Sequence, residues 1–230
     1  MPHPTGGYAL NGKRIPGVTT VIGRFKDAGG LLNWYHKLGL QKKNPGKEAR
    51  RAADAGTACH ELIENYLARR KIHKDKLYKA LKLDAEQRQW SDTSYSAFLC
   101  WHKETQPRIE EMEVRYVSAD LKCGGTPDAV GRLMAHTELY NKRIMLDWKT
   151  SNSMSSDHTI QVATYVAMWE EEHGERLDGF LIVRFDKKDG SYEEKYISRE
   201  DAEPYIGVFR SFRSLYSQLD KLGILYYRKK

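Results

Sequence analysis

"IMLDWKTS", residues 144–151, begins as an apolar run and ends charged. Read as a strand with Arg143, it alternates. Ile144, Leu146 and Trp148 share one face; Arg143, Met145, Asp147 and Lys149 share the other. Asp147 and Lys149 then point the same way, with Cα atoms about 6.6 Å apart. Alone, the segment describes an amphipathic strand with a solvated ion pair worth roughly 0–1 kcal/mol.

The preceding segment shifts that balance. In "GGTPDAVGRL", Asp128, Val130 and Arg132 fall on one face, and Pro127 confines the strand to an edge, a bulge or a strand start. If the two strands are hairpin neighbours, Asp128 and Asp147 meet across the ladder. Opposed like charges destabilise a sheet. A divalent cation removes that cost, and hard cations such as Mg²⁺ take oxygen ligands while keeping several waters. Two acids beside a lysine therefore suit metal-assisted phosphodiester chemistry.

Outward from this pair, the chain alternates helical and extended patterns. "NGKRIPGVTTVIG" follows a strand-like run and contains the hairpin signal Asn11-Gly12. A short helix is expected around "LLNWYHKLGL", then a basic Pro/Gly linker ending at Arg51. "GTACHELIENYLARR" is amphipathic, with Cys59, Leu62, Ile63, Tyr66 and Leu67 on one arc. A longer helix, "LDAEQRQWSDTSYSAFLCWHKETQ", stops before Pro107. "EMEVRYVSA", "GGTPDAVGRLM" and "RIMLDWKT" read as three strands, and "SDHTIQVATYVAMWEEEHG" as a helix capped by Ser156 or Asp157 and ended by Gly174. Two strands joined at Asp189-Gly190 and a helix from Arg199 to Leu222 complete the chain. Helix, three strands, helix, strand, with additions at both ends, predicts an α/β sandwich: a mixed sheet with helices on both faces.

Two helices carry further candidates. His60 lies at the edge of its apolar arc with Glu64 one turn on, placed to orient it or share a metal. Gln161 and Tyr165 are also i and i+4, in a mostly apolar helix, where an unpaired amide is costly. Each also has a bland reading as a packed or capped helix residue.

Of the 230 residues, 30% are charged and 40% hydrophobic, as in a globular domain with a substantial core. The net charge of +7 is uneven: up to Lys79 there are 16 Lys/Arg against 6 Asp/Glu, and beyond it 22 against 25. A basic half suits a polyanion such as nucleic acid. Phe25, Trp34 and Tyr35 lie in that half as candidates for base stacking, with core packing as the competing role. Cys59, Cys100 and Cys123 are isolated, which argues against a disulfide scaffold or a structural zinc site. No apolar run is long enough to span a bilayer, and the first residues resemble neither a secretory signal nor a transit peptide. A cytoplasmic protein is expected.

Pro127-Asp128, eighteen intervening residues and Asp147-x-Lys149 match the PD-(D/E)xK nuclease pattern. "GTACHELIENYL" is similar to the histidine-bearing motif of RecB-type nucleases, and "QVATY" to their Gln-x-x-x-Tyr motif. "NGKRIPGVTTVI" resembles the start of viral RecB-like nucleases and of the mitochondrial genome-maintenance exonuclease. The resemblance covers most of the chain. It implies a restriction-endonuclease-like αβββαβ core at 56–222, a basic extension at 1–55 and a basic tail at 223–230, in one domain. It further implies an Mg²⁺- or Mn²⁺-dependent DNA exonuclease preferring single-stranded ends, acting in viral or cellular replication, recombination or repair, in the host cytoplasm if viral. His60, Asp128, Asp147 and the Trp148 carbonyl would hold the metal. Lys149 would act on water or phosphate, with Gln161 and Tyr165 completing the catalytic set. Thr150 and Ser151 would donate to a phosphate. Relatives with an iron–sulfur cluster use four cysteines, which three isolated ones cannot reproduce. A structure-selective endonuclease and a catalytically silent DNA-end-binding protein are the alternatives.

Overall fold

Residues 143–149 form the middle strand of the sheet. The computed structural model describes residues 7–25 and 29–225, the side chains of 29–31 excepted. Five strands stand in the order β3 (Pro107–Met112), β6 (Ala129–Leu133), β7 (Arg143–Lys149), β8 (Gly179–Phe185) and β9 (Tyr192–Ser198). All neighbours are antiparallel except β7 and β8, which run parallel because a helix, α6 (Ser156–His173), connects them.

Both faces of β7 are covered. Ile144, Leu146 and Trp148 join one core with α3 (Pro45–Leu67) and α5 (Ala85–Thr105). Met145 joins the other, with α1 (Val18–Arg24), α6 and α7 (Arg199–Lys221). The solvated-face reading of Asp147 and Lys149 is thereby excluded: Asp147 is only 2% exposed. Each large apolar side chain buried along β7 contributes roughly 1.5–3 kcal/mol relative to exposure.

Several expected boundaries move, each for a local reason. The expected linker ending at Arg51 is the first part of α3. Asn44 caps that helix by accepting the Lys47 N–H at 3.0 Å, and Pro45 occupies its first turn, where no N–H is needed. The domain division at residue 55 therefore falls inside a helix. "VTTVI", expected to continue the strand-like N-terminal segment, is α1, after the hairpin of β1 (Tyr8–Leu10) and β2 (Lys13–Ile15). The basic cluster after Arg69 contains a further helix, α4 (Lys74–Ala80). The helix over "SDHTIQVATYV" is capped by Ser155 rather than Ser156 or Asp157.

"EMEVRYVSA" is not one strand. The chain leaves β3 at Glu113, whose φ of 53° is left-handed, and residues Tyr116–Ser118 (β4) pair instead with Cys123–Gly125 (β5) in a separate ribbon. "GGTPDAVGRLM" is divided likewise, since Pro127 breaks donation between β5 and β6. The first three expected strands thus become five.

Candidate active site

One edge of the sheet gathers the chemistry. Met112, Ala129, Leu146 and Leu181 stand in register across β3, β6, β7 and β8. Just past this row the chain releases Glu113 from β3, receives Asp128 into β6, and carries Asp147 and Lys149 onward on β7. Asp128 lies one residue before β6, the strand-start position proline demands. Its Oδ2 accepts the Trp148 N–H at 2.6 Å, and its backbone carbonyl accepts the Glu113 N–H at 3.0 Å. The carboxylate thus extends the ladder where β6 ends. In an extended strand the N–H and C=O of a residue point to the same side, so the Trp148 carbonyl also faces the space beyond β6. The Trp148 side chain packs in the opposite core against Trp101 and Phe98.

Four charged groups meet here. Lys149 Nζ lies 2.6 Å from Asp147 Oδ2, and His60 Nδ1, from α3, lies 3.6 Å from Asp128 Oδ1. Burial, with the Asp128 charge in addition, raises the Asp147 carboxyl to about 6 against the opposing pull of Lys149. Burial also works against ionising Asp128 and His60. Their mutual attraction outweighs it, holding the Asp128 carboxyl below its ordinary value and His60 above its own. Lys149 helps to keep Asp128 ionised.

These residues line a cavity of about 610 Å³ together with Gln161, Tyr165, Thr150 and Ser151. Gln161 Nε2 donates to the Tyr165 hydroxyl at 3.0 Å, giving the amide a partner within the site. Burial raises the Tyr165 phenol strongly, keeping it protonated. Ser151 Oγ donates to the Ser153 carbonyl at 2.8 Å, and Thr150 Oγ1 lies against Gly56 of α3.

Glu64 is a correction. It does not reach His60; its carboxylate is held by Arg70, past the end of α3, and does not line the cavity. Among the aromatic candidates, Phe25 packs on Phe212, and Trp34 and Tyr35 touch each other on α2 (Gly29–Leu40), outside the cavity lining.

The geometry adds residues that the motifs did not reveal. Glu113 lines the cavity, and burial together with the Asp128 charge raises its carboxyl to about 7. Its left-handed backbone aims the side chain at the site. Three glutamates within "EEME" are the only trace of this in the sequence, and nothing there separates Glu113 from its neighbours. Tyr8 of β1 forms another wall, packed on Gly124 with its hydroxyl 3.2 Å from Thr126 Oγ1. Arg115 and Lys187 also line the space.

The residues suit a hard divalent cation. Asp147 Oδ2 is buried and, beyond the Lys149 contact, has no hydrogen bond of good geometry. Two carboxylates and an outward carbonyl form the kind of oxygen set that Mg²⁺ or Mn²⁺ takes, with one imidazole nitrogen beside it. Among the described residues, no three His, Cys, Asp or Glu side chains already stand at coordinating geometry. Binding thus requires His60 and the carboxylates to draw together, with release of any imidazolium proton. All three cysteines are unpaired; Cys59 and Cys123 are buried and Cys100 is exposed.

Several solved structures resemble the chain. A putative exonuclease from Eubacterium rectale aligns over 74% of this chain and 68% of its own, at 11% identity and TM-score 0.48. LHK-Exo in complex with dAMP aligns over 94% and 92%, at 14% identity and TM-score 0.42. No curated protein matches. The model of one family matches residues 31–221. That match spans α3, every strand of the five-stranded sheet and α6, and so contains the acids, the lysine and the histidine just described. With its mixed sheet flanked by helices, the chain has a restriction-endonuclease-like fold and belongs to the PD-(D/E)XK nuclease superfamily.

Proposed function

We propose that this protein is a divalent-metal-dependent deoxyribonuclease of the RecB-like branch, an exonuclease acting on single-stranded DNA ends. The observation that carries the reading is the meeting of Asp128 and Asp147 across β6 and β7, with Lys149 on Asp147 and His60 beside Asp128. Two acids buried side by side, with Lys149 against Asp147, have little structural rationale, whereas a phosphodiesterase needs them.

His60, Asp128, Asp147 and the Trp148 carbonyl would hold Mg²⁺ or Mn²⁺, which supplies charge against the phosphate and acidifies water at neutral pH. Lys149 is a compact cation at the same place, set to face the scissile phosphate or the attacking water. Gln161 and Tyr165 form a hydrogen-bonded pair that contacts DNA or braces Asp147's side of the cavity. Thr150 and Ser151 offer hydroxyls to a phosphate. No iron–sulfur cluster is invoked. The proposed setting is replication, recombination or repair in the cytoplasm, the host's if the protein is viral, alongside other proteins of those processes. Among the described residues no helix is long and apolar enough to cross a membrane.

The test is end-labelled single- and double-stranded DNA incubated with Mg²⁺, Mn²⁺ or EDTA. Metal-dependent shortening from an end is expected, with loss in Lys149→Ala. Tight binding without cleavage in any metal would favour the silent DNA-binding alternative. Degradation of a circular single strand would convert the assignment to an endonuclease.

Glu113 belongs to the same proposal. Glu113→Gln keeps the size and backbone of the site but removes an ionisable group beside Asp128. A 10–100-fold loss of kcat/KM is expected, the range typical of groups that support metal ligands, with metal-free thermal stability raised at pH 7.5 because burial penalises the wild-type carboxylate. An unchanged rate would assign Glu113 to the fold alone.

A further inference from the structure

Among the described residues, two cations face the cavity without an acid at ion-pair distance. Arg115 lies in the connection from β3 to β4, its guanidinium 4.6 Å from the centre of the Tyr8 ring. Lys187 lies in the turn from β8 to β9, its ammonium 5.4 Å from the centre of the Trp90 ring. Both line the catalytic cavity, and among the described residues neither makes an ion pair.

For Lys187 the lack of an ion-pair partner among the described residues is built into the turn. The adjacent Asp186 is engaged by Arg184 at 2.8 Å and by the Lys188 N–H at 2.7 Å. Asp189 is taken by the Ser191 N–H and hydroxyl. Arg51, the other cation over Trp90, differs: Glu48, Asp84 and Glu86 surround it. Burial lowers the Lys187 ammonium pKa, a cost that an approaching anion would remove. On the other flank, Tyr8 is itself fixed on Gly124 and at Thr126, so Arg115 rests on a rigid ring.

The topology places these cations apart. Strand order β3-β6-β7-β8 puts Arg115 on one flank of the Asp128–Asp147 pair and Lys187 on the other. Three strand spacings separate β3 from β8, or about 14 Å. Even a stacked strand, rising about 3.4 Å per nucleotide, spans that distance with a few nucleotides.

We infer that Arg115 and Lys187 bind backbone phosphates on opposite sides of the scissile phosphate, so that the substrate strand crosses the sheet edge from the β3 flank to the β8 flank. This rests on the nuclease reading and adds to it a path for the strand. The two residues are positioning residues.

Binding of a fluorescent oligodeoxythymidylate in EDTA, followed by anisotropy across a salt series, tests the contacts without turnover. Each phosphate contact contributes about 0.7 to the slope of log K against log salt for a single strand. Lys187→Met and Arg115→Met should each flatten the slope by about that amount, with Lys187→Arg and Arg115→Lys restoring it. Lys188→Met, at an exposed neighbour outside the cavity, should leave it unchanged. A methylphosphonate placed at successive linkages then locates the contacts during Mg²⁺-dependent cleavage. The linkage to which Lys187→Met is indifferent should lie on one side of the cut, and that for Arg115→Met on the other. An unchanged slope in either variant, or both linkages on the same side, overturns the inference. Binding by wild type without cleavage overturns the nuclease reading alone, and the slopes still decide the contacts.

Discussion

Asp147→Asn should abolish metal-dependent cleavage, lowering kcat/KM by about 10³-fold or more, while making the metal-free protein more stable. The activity loss follows from removing the buried anionic charge that would hold the metal. The stability gain has a definite sign. Burial holds the Asp147 carboxyl at about 6, above its ordinary value of 3.8. Between those values the folded wild-type protein binds more protons than the unfolded chain, so its stability falls as pH rises through that window. The penalty is complete above pH 6 and absent below about pH 4. Asparagine never ionises, so the variant should melt higher at pH 7.5, by roughly 1–3 kcal/mol, and the gain should vanish on acidification. Mg²⁺ or Mn²⁺ should raise the melting temperature of wild type and leave that of the variant nearly unchanged. Retained cleavage by Asp147→Asn, or a variant less stable than wild type at pH 7.5, would contradict this account. A surface ion pair would predict almost no change in either quantity.

Gly131→Ala should unfold the protein more readily by about 2–4 kcal/mol, although it adds only a methyl group. A Cβ at Gly131 would stand 2.4 Å from the Arg108 carbonyl oxygen and 3.1 Å from the Ile109 Cα, both backbone atoms of β3. Backbone in a paired strand cannot rotate away as a side chain can, so the sheet must shift. The register of β3 against β6 slips between Ile109 and Glu111 at this place. Bulges bend a strand and re-aim the residues beyond the bend; Glu113 is the first residue past the end of β3. Urea unfolding of Gly131→Ala should show a lower midpoint with an unchanged m-value. Gly207→Ala, on α7 with no atom within 4 Å, is the counterpart and should be neutral or stabilising by up to about 1 kcal/mol.

The meeting of the two acids was legible in the sequence because it depends only on alternation and register. Asp128 and Asp147 were expected to meet if their strands formed a hairpin, and the pairing of Ala129 with Leu146 places them opposite each other. The helix carrying His60 and α7 were equally readable from their helical period, and the helix carrying Gln161 and Tyr165 and the β8–β9 pair from apolar runs bounded by turn residues. Two kinds of information were not. Pro45 reads as a linker signal in isolation, yet an asparagine before it makes it the start of α3. Glu113 looks like one of several strand glutamates, because a left-handed backbone at a glutamate has no local signature. The long-range contacts were the least accessible: Tyr8 meets Gly124, and Lys187 meets Trp90, across separations that no pattern of spacing encodes.

The ribbon of β4 and β5 bears on how the chain can be cut for practical use. Gly124 is overlaid by the ring of Tyr8 and Gly125 by the ring of Tyr165, so the strand is held between two tyrosines, one from the N-terminal hairpin and one from α6. The family match begins at residue 31, which makes that residue an inviting place to start a shortened protein. Such a truncation would remove the Tyr8 half of the clamp, leave Arg115 without its aromatic seat, and free the ribbon against Tyr165. The unit that keeps this clamp intact is therefore longer than the recognisable one and includes Tyr8.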